Sequence, residues 1–524
     1  METTENNHIL IIGGGTAGWL SAAILAKSLN SKEKNGTKIT LIESPDIPIL
    51  GVGEGTWPNL RATLHKIGIR ETDFIRECDA TFKQGAKFVN WIDSKEKDEP
   101  HSYYHPLSTV SHSSYGFNLS PYWLQQDKET RLPYDRAVAI QARLCDEGKA
   151  PKDISMPEYS AVQEYAYHLN ANKMANFLKR HCIENLGVNY VSANVTNVVL
   201  DPNEFIQYVE TDHTDKKKIL ADFFIDCSGT TGLIIKKTYN IEWQSISDII
   251  FNDTALAVQV PYKKASQPIK THTIATAQDA GWIWDIGLQD RRGVGHVYSS
   301  KYTSDEKAKQ QLIDYIGDDY SDDLMIRKIK LNHGYHKKFW HKNSVAIGMS
   351  AGFVEPLEAS AIFLFDAAAS MLATQFPRNR DDMAYAEKNF NRHLTMRMER
   401  TVEFIKLHYC ISNRRDSQYW IDNCKPSSIP ENLKQRLKFW KNQPPTKYDF
   451  ENAWEPFNLD SYLYILYGME FNTDLENVSL KYTETLKAEQ MFLAINNDSQ
   501  TLISKLPDQR ELIEKVIQYG FSRV

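Results

Sequence analysis

A short apolar run, His8–Gly13, leads straight into a turn with glycines at Gly13, Gly15 and Gly18, and then into a stretch of helical composition, Trp19–Asn30 (WLSAAILAKSLN). No other feature limits the folding of this chain as much. In a G-x-G-x-x-G turn between strand and helix, the first glycine permits the tight turn and the second lets backbone approach a pyrophosphate. The third lets the helix pack on the strand. Thr16 and Ala17 fill the turn, and the helix N-terminus directs the positive end of its dipole at the phosphates. The next apolar run, Thr37–Glu43 (TKITLIE), ends in an acid, Glu43, placed to accept a hydrogen bond from a ribose. A glycine-rich turn alone can be a plain turn; a strand before it and a helix behind it point to a dinucleotide site.

Ile219–Gly229 (ILADFFIDCSG) is an apolar strand ending in Asp226. It reads either as one more core strand or as the strand that two-domain flavoproteins place beside the first dinucleotide unit. Only one G-x-G-x-x-G is present, so a second Rossmann unit for NAD(P)H is not expected, and reduced flavin is expected from another protein. Between them, residues 51–151 read as loop-rich, with a helix over 171–186 and β runs over 189–200. Residues 250–300 alternate as strands of an antiparallel sheet. After Ser344–Gly348 the spacing turns helical over 357–375, 381–412 and 430–441.

Composition excludes several classes. The 524 residues carry 61 basic and 67 acidic side chains, a net charge of -6, which leaves no global cationic surface for nucleic acid or an acidic membrane. No stretch approaches the roughly 18 apolar residues of a membrane helix, and the polar start Met1–His8 does not read as a signal peptide. The six cysteines form no CxxC pair and have no histidine at zinc spacing, so no metal is expected. They read as thiols of a reducing cytoplasm.

Seven segments together resemble the flavin-dependent tryptophan halogenase family over nearly the whole chain: 11–19 (IIGGGTAGW), 46–60 (DIPILGVGEGTWPNL), 77–91 (ECDATFKQGAKFVNW), 223–233 (FFIDCSGTTGL), 281–287 (GWIWDIG), 295–300 (GHVYSS) and 353–363 (FVEPLEASAIF). The resemblance implies an α/β fold: a Rossmann-type FAD-binding, flavin-monooxygenase-like core over residues 1–380, with a mainly helical, aromatic-rich substrate module over 381–524. The family signature W-x-W-x-I-P is matched by Trp282, Trp284 and Ile286, with Gly287 where proline is usual. In the family this segment lies between flavin and substrate; on its own, a pair of tryptophans on a strand is ordinary core.

Further site residues follow from the resemblance. Lys83 in ATFK matches the catalytic lysine, with Lys87 as rival, and Glu358 in EPLEAS matches the catalytic glutamate, with Glu355 bracing the turn. Ser360 and Ala361 stand where the family binds halide through threonine and glycine. Gly51, Gly53 and Glu54 belong to a mobile flavin strap, and Val195, Asp226, Gly348, Met349 and Ile362 are expected against the flavin. The text GMSAGF lacks the aspartate that NAD(P)H-dependent aromatic hydroxylases place after this glycine. His105, Leu107 and Trp454 match positions of the substrate pocket, with Leu107 where an aromatic ring is common.

The implied chemistry uses reduced FAD from a flavin reductase, O2, and chloride or bromide. Hypohalous acid passes from flavin to Lys83 and halogenates an electron-rich arene, and Glu358 assists loss of the ring proton. The polar residues that would clamp a free amino acid do not align cleanly. Indole, a substituted indole, a phenol or a tryptophan within a peptide all suit an aromatic-lined cleft. A flavin monooxygenase and a non-catalytic flavin sensor are the alternatives, and a homodimer is one of the oligomeric states open to the chain.

Overall fold

In the computed structural model, residues 6–47, 53–93, 100–111, 114–450 and 455–523 are described. Gly51 and Trp454 lie outside them. The opening strand, His8–Ile12, is the centre of a six-stranded sheet, paired in parallel with Lys38–Glu43 on one side and Phe223–Asp226 on the other. Asn189–Ser192 extends the first side; Ser344–Ala346 and the antiparallel Trp340–His341 extend the second. The central strands are buried on both faces, which is why they read as unbroken apolar runs. The ambiguous run from Ile219 is split: Lys218–Leu220 pairs with Ile206–Thr211 in a separate three-stranded sheet, and Phe223–Asp226 is the strand beside the dinucleotide unit.

The first helix spans Thr16–Ser28, starting three residues before the apolar run that marks it in the sequence. Its first turn lies inside the glycine motif. Gly13 shows why: at φ +116°, a β-carbon there would stand 2.2 Å from the carbonyl oxygen of Cys227 on the neighbouring strand. A β-carbon on Gly18 would meet Gly13's own carbonyl at 1.9 Å. Strand, turn and helix close up only with hydrogen in both places.

The second sheet has seven strands and is antiparallel except where Thr273–Gln278 pairs in parallel with Gly85–Val89. Gly281–Gly287 runs through it between Arg291–Tyr298 and Thr273–Gln278. Among the described residues, the segment 51–151, expected as loops, holds the last two strands of this sheet, Gly85–Val89 and the edge strand Ser102–Pro106, and five helices, of which Asn59–Lys66 and Glu71–Glu77 are the longest. A three-stranded sheet joins Gly53–Gly55 and Thr81–Lys83 to the two edges of Ala166–Asn170. Strands of three residues carry no readable period; they form because a distant segment supplies their partner.

Helices Ser360–Thr374, Arg380–Cys410 and Glu431–Trp440 match the spacing of the sequence within a few residues. One continuous apolar core runs from Ile9 through Trp282 and Phe404 to Phe521. Among the described residues no helix is long and apolar enough to cross a membrane, and no cluster of His, Cys, Asp or Glu could hold a metal.

Candidate active site

The dinucleotide turn has the features an anion needs. The first turn of the helix Thr16–Ser28 has no side-chain cap and no acid, so its N–H groups are free of local acceptors. The space about Gly15 is open within 4 Å of where a β-carbon would stand. Glu43, at the end of its strand, lies against Gly14 and pairs with Lys179 at 2.6 Å. Val195 follows closely on Ala193, whose N–H donates to the carbonyl of Glu43. Gly348, at φ +96°, approaches Ala17 so closely that a β-carbon would stand 2.7 Å from that side chain, which brings Gly348 and Met349 to the same helix end. Ile362 is buried on the helix Ser360–Thr374. Asp226 sits at the expected strand end, but its carboxylate is taken up by Ser228 and by the N–H groups of Ile234 and Ile235. It therefore braces the turn that follows its strand.

The strap emerges as a strand, Gly53–Gly55, wedged between two parts of the site. A β-carbon on Gly53 would stand 2.7 Å from Ile286 of the tryptophan strand; one on Gly55 would stand 3.4 Å from the Lys83 ammonium and 3.3 Å from Ala359. Beside Gly53 a cleft of about 340 Å³ is lined by Trp284, Gly293, Met325 and Arg327. Trp282 and Trp284 alternate onto one face of their strand with ring centroids 6.3 Å apart. Trp282 is buried and Trp284 half-buried. Gly295 on the next strand leaves room for the Trp284 ring, which a β-carbon would meet at 2.1 Å. Glu54 keeps part of its surface, yet desolvation pushes its carboxyl up to about 7.

Lys83 ends the strand Thr81–Lys83 and is 3% exposed. Its Nζ donates to the carbonyl of Thr56 at 3.2 Å. Burial lowers its pKa to about 8, against the opposing attraction of Glu358. The rival Lys87 is half-buried, pairs with Asp146 and lies over Tyr104, so the two lysines are separated by environment. Two residues before Lys83, the Thr81 hydroxyl donates to the carbonyl of Gly287 at 2.6 Å, tying the lysine strand to the end of the tryptophan strand.

Glu358 stands in a tight turn, Pro356–Glu358, followed by Ala359 at φ +53°. A non-glycine residue in that region costs on the order of 1 kcal/mol. The turn lets a helix begin at once, with Ser360 and Ala361 as its uncapped first residues. Nδ1 of His105 lies 3.0 Å from both Glu358 oxygens and Nε2 of His408 lies 2.9 Å from Oε1. Burial alone would raise this carboxyl's pKa; the two histidines hold it well below the usual range. Trp57 clips the same turn from the strap side, donating from Nε1 to the Glu358 carbonyl at 2.7 Å. Consecutive residues, Thr56 and Trp57, thus hold Lys83 and Glu358 together. Glu355 is fully buried, accepts from Tyr409 and from Asn252, and is pushed up to about 7 by burial. It is a brace.

The walls around His105 are aromatic: Phe404 at 5.7 Å, Tyr464 at 6.1 Å and Phe457 at 6.5 Å between centroids. Trp57 stacks on Phe363 at 4.3 Å and meets Phe457 edge-on. Leu107 is half-buried next to His105 and bonds through its backbone to Gln84. Sequence reasoning missed Trp57, Phe404, His408 and Phe457. The one trace of His408 is a polar ring inside the largely apolar helix run 404–410 (FIKLHYC), which it shares with Lys406, since a buried imidazole requires partners.

The chain is similar to known proteins along nearly its whole length. The family described as tryptophan halogenase matches residues 8–482. The tryptophan 6-halogenase SttH of Streptomyces toxytricini is 32% identical over 98% of both chains. The tryptophan 7-halogenase RebH of Lentzea aerocolonigenes is 31% identical over 98% of this chain and 99% of its own. A crystal structure of a tryptophan halogenase from Shewanella frigidimarina superposes with a TM-score of 0.95 at 41% identity, covering 99% of each chain.

Proposed function

The chain belongs to the tryptophan halogenase family, and on that premise we propose how this flavin-dependent halogenase uses its own residues and what it acts on. The observation that carries the reading is the buried meeting of Lys83, Glu358 and the strap residues Thr56–Trp57. Bound reduced FAD, with O2 and a halide, supplies hypohalous acid. The FAD pyrophosphate is assigned to the N–H groups at Gly15–Gly18, its ribose to Glu43, and the isoalloxazine side to the cleft of Gly53, Trp284 and Gly293. Chloride or bromide is assigned to the N–H groups of Ser360 and Ala361, with Gly348 nearby.

Trp282 and Trp284 keep the arene on the far side, so that only the small inorganic oxidant travels to the lysine. Lys83 holds it by hydrogen bonding or as a haloamine, and this positions the electrophilic halogen. Glu358 is ionised and accepts the proton that leaves the halogenated ring. The substrate is an electron-rich arene, an indole or tryptophan derivative, enclosed by His105, Phe404, Phe457 and Tyr464. Reduced flavin comes from a separate reductase in the same cytoplasm.

The test supplies the protein with FAD, NADH, a flavin reductase and a panel of indoles, first in chloride and then in bromide. Halogenated indole with the isotope pattern of the added halide is expected. Hydroxylated product without halide dependence, or no product from any arene, overturns the reading.

A further inference from the structure

Sulfur is the atom of a protein that an electrophilic halogen attacks most readily, and exposure decides which sulfur meets it first. Among the described residues the cysteines are all buried or half-buried. The methionines are too, with one exception: Met325 is 76% exposed. It stands just before the strand Arg327–Lys330, which pairs with Thr254–Pro261 in the antiparallel sheet. Its neighbours Leu324 and Ile326 pack on the apolar cluster of Leu256, Val258 and Val294. Met325, between them, is left out of that cluster, and its thioether faces outward.

The outward side is a cleft. Met325 lines the space of about 340 Å³ that Gly53, Trp284, Gly293 and Arg327 also line. Gly53 begins the strap strand, and two residues on, a β-carbon at Gly55 would stand 3.4 Å from the Lys83 ammonium. Two strand residues span roughly 7 Å, so one short stretch of strap separates the cleft from the lysine. Glycine at both ends of that stretch adds no side chain to the barrier. The most exposed described methionine therefore borders the cleft next to the point where the oxidant is held.

We infer that Met325 is a modification site: its thioether takes up hypohalous acid that leaves the flavin cleft unspent, and is converted to the sulfoxide. This rests on the halogenase reading, which supplies the oxidant and places its origin beside the cleft. The sulfur lone pair forms an S–X bond as the O–X bond breaks and hydroxide leaves. Water then forms the S–O bond, halide departs with the S–X electron pair, and two protons are released. Sulfur is oxidised by two electrons and the halogen is reduced to halide, so water is the only other reactant. The product is polar where the thioether was apolar, and it changes a wall of the cleft that Trp284 shares.

The test has two arms. In the first, flavin-free protein receives a few equivalents of hypobromite, and its digested peptides are read by mass spectrometry. Met325 is expected to carry more sulfoxide than any other methionine of residues 6–523. An even spread, or another methionine ahead of it, overturns the inference whether or not the enzyme halogenates. In the second arm the protein turns over with FAD, NADH, a flavin reductase, bromide and catalase, without an arene, in water labelled with heavy oxygen. Met325 sulfoxide is expected to carry the label, to be lost when bromide is omitted, and to fall several-fold when an indole consumes the oxidant. Unlabelled sulfoxide identifies peroxide as the oxidant and overturns the inference. Brominated indole in a parallel assay, with Met325 still a thioether after arene-free turnover, overturns the inference and leaves the halogenase reading standing. No halogenated product from any arene overturns both.

Discussion

At Lys83, solvation and charge pull in opposite directions. The ammonium is taken out of water into a site where one carbonyl and a nearby carboxylate are its compensation, and its pKa falls from 10.5 to about 8. Because the folded value is lowered, the cost to stability is full below pH 8 and fades toward 10.5, where both folded and unfolded chains have released the proton. Replacing Lys83 with methionine is expected to stabilise the fold at pH 7 by on the order of 2 kcal/mol, seen as a higher Tm that converges on wild type as pH rises. The same variant, like Lys83→Ala, is expected to lose all halogenated product while binding FAD as before. Retained product in either variant removes the lysine from the chemistry. At Glu358 the balance runs the other way, because His105 and His408 more than offset burial. Glu358→Gln is therefore expected to cut kcat by at least about a hundredfold, the usual scale of a lost general base, with FAD affinity unchanged by fluorescence titration.

At the scale of elements, the strap strand Gly53–Gly55 joins the tryptophan strand to the lysine. Its side-chain-free face at Gly53 is fitted to Ile286, so Gly53→Val has to displace either the strap or the tryptophan strand. Such a variant is expected to fold with native circular dichroism and to lose FAD affinity and coupling, measured as peroxide released per indole halogenated. The helix Ser360–Thr374 acts through its start. Where the family carries threonine followed by glycine, Ser360 removes a methyl group and Ala361 adds one, at N–H groups that no side chain caps. Restoring the pair with S360T and A361G together is expected to change the ratio of chlorinated to brominated product in equal halide. An unchanged ratio means that halide is bound elsewhere.

The whole molecule joins a Rossmann sheet and an antiparallel sheet through one core, with the helices 360–374 and 380–410 behind both. The lysine comes from the strand Thr81–Lys83, the glutamate from the 3-10 turn ahead of one helix, and His408 from the last turns of the other. The chain carries a single dinucleotide fingerprint. With NADH and FAD alone, turnover is expected to be negligible; adding a flavin reductase, or chemically reduced flavin, is expected to restore it. Equal rates with and without a reductase would require a nicotinamide site within this chain.

The dinucleotide unit was legible in the sequence because its requirements are local: a glycine at φ +116°, an apolar strand before it and an uncapped helix after it all occur within consecutive residues. The long helices were legible for the same reason, since periodicity is a property of neighbours. Lys83 and Glu358 stood out only through resemblance, because a lysine on a three-residue strand has no pattern of its own. What joins them was decided by the tertiary structure. Thr56 and Trp57 reach both groups across 27 and 301 residues of chain, and His408 reaches Glu358 across 50. Sequence spacing cannot carry such contacts; they exist because burying the two sheets and helices against each other is favourable, and the polar groups enclosed there must find partners.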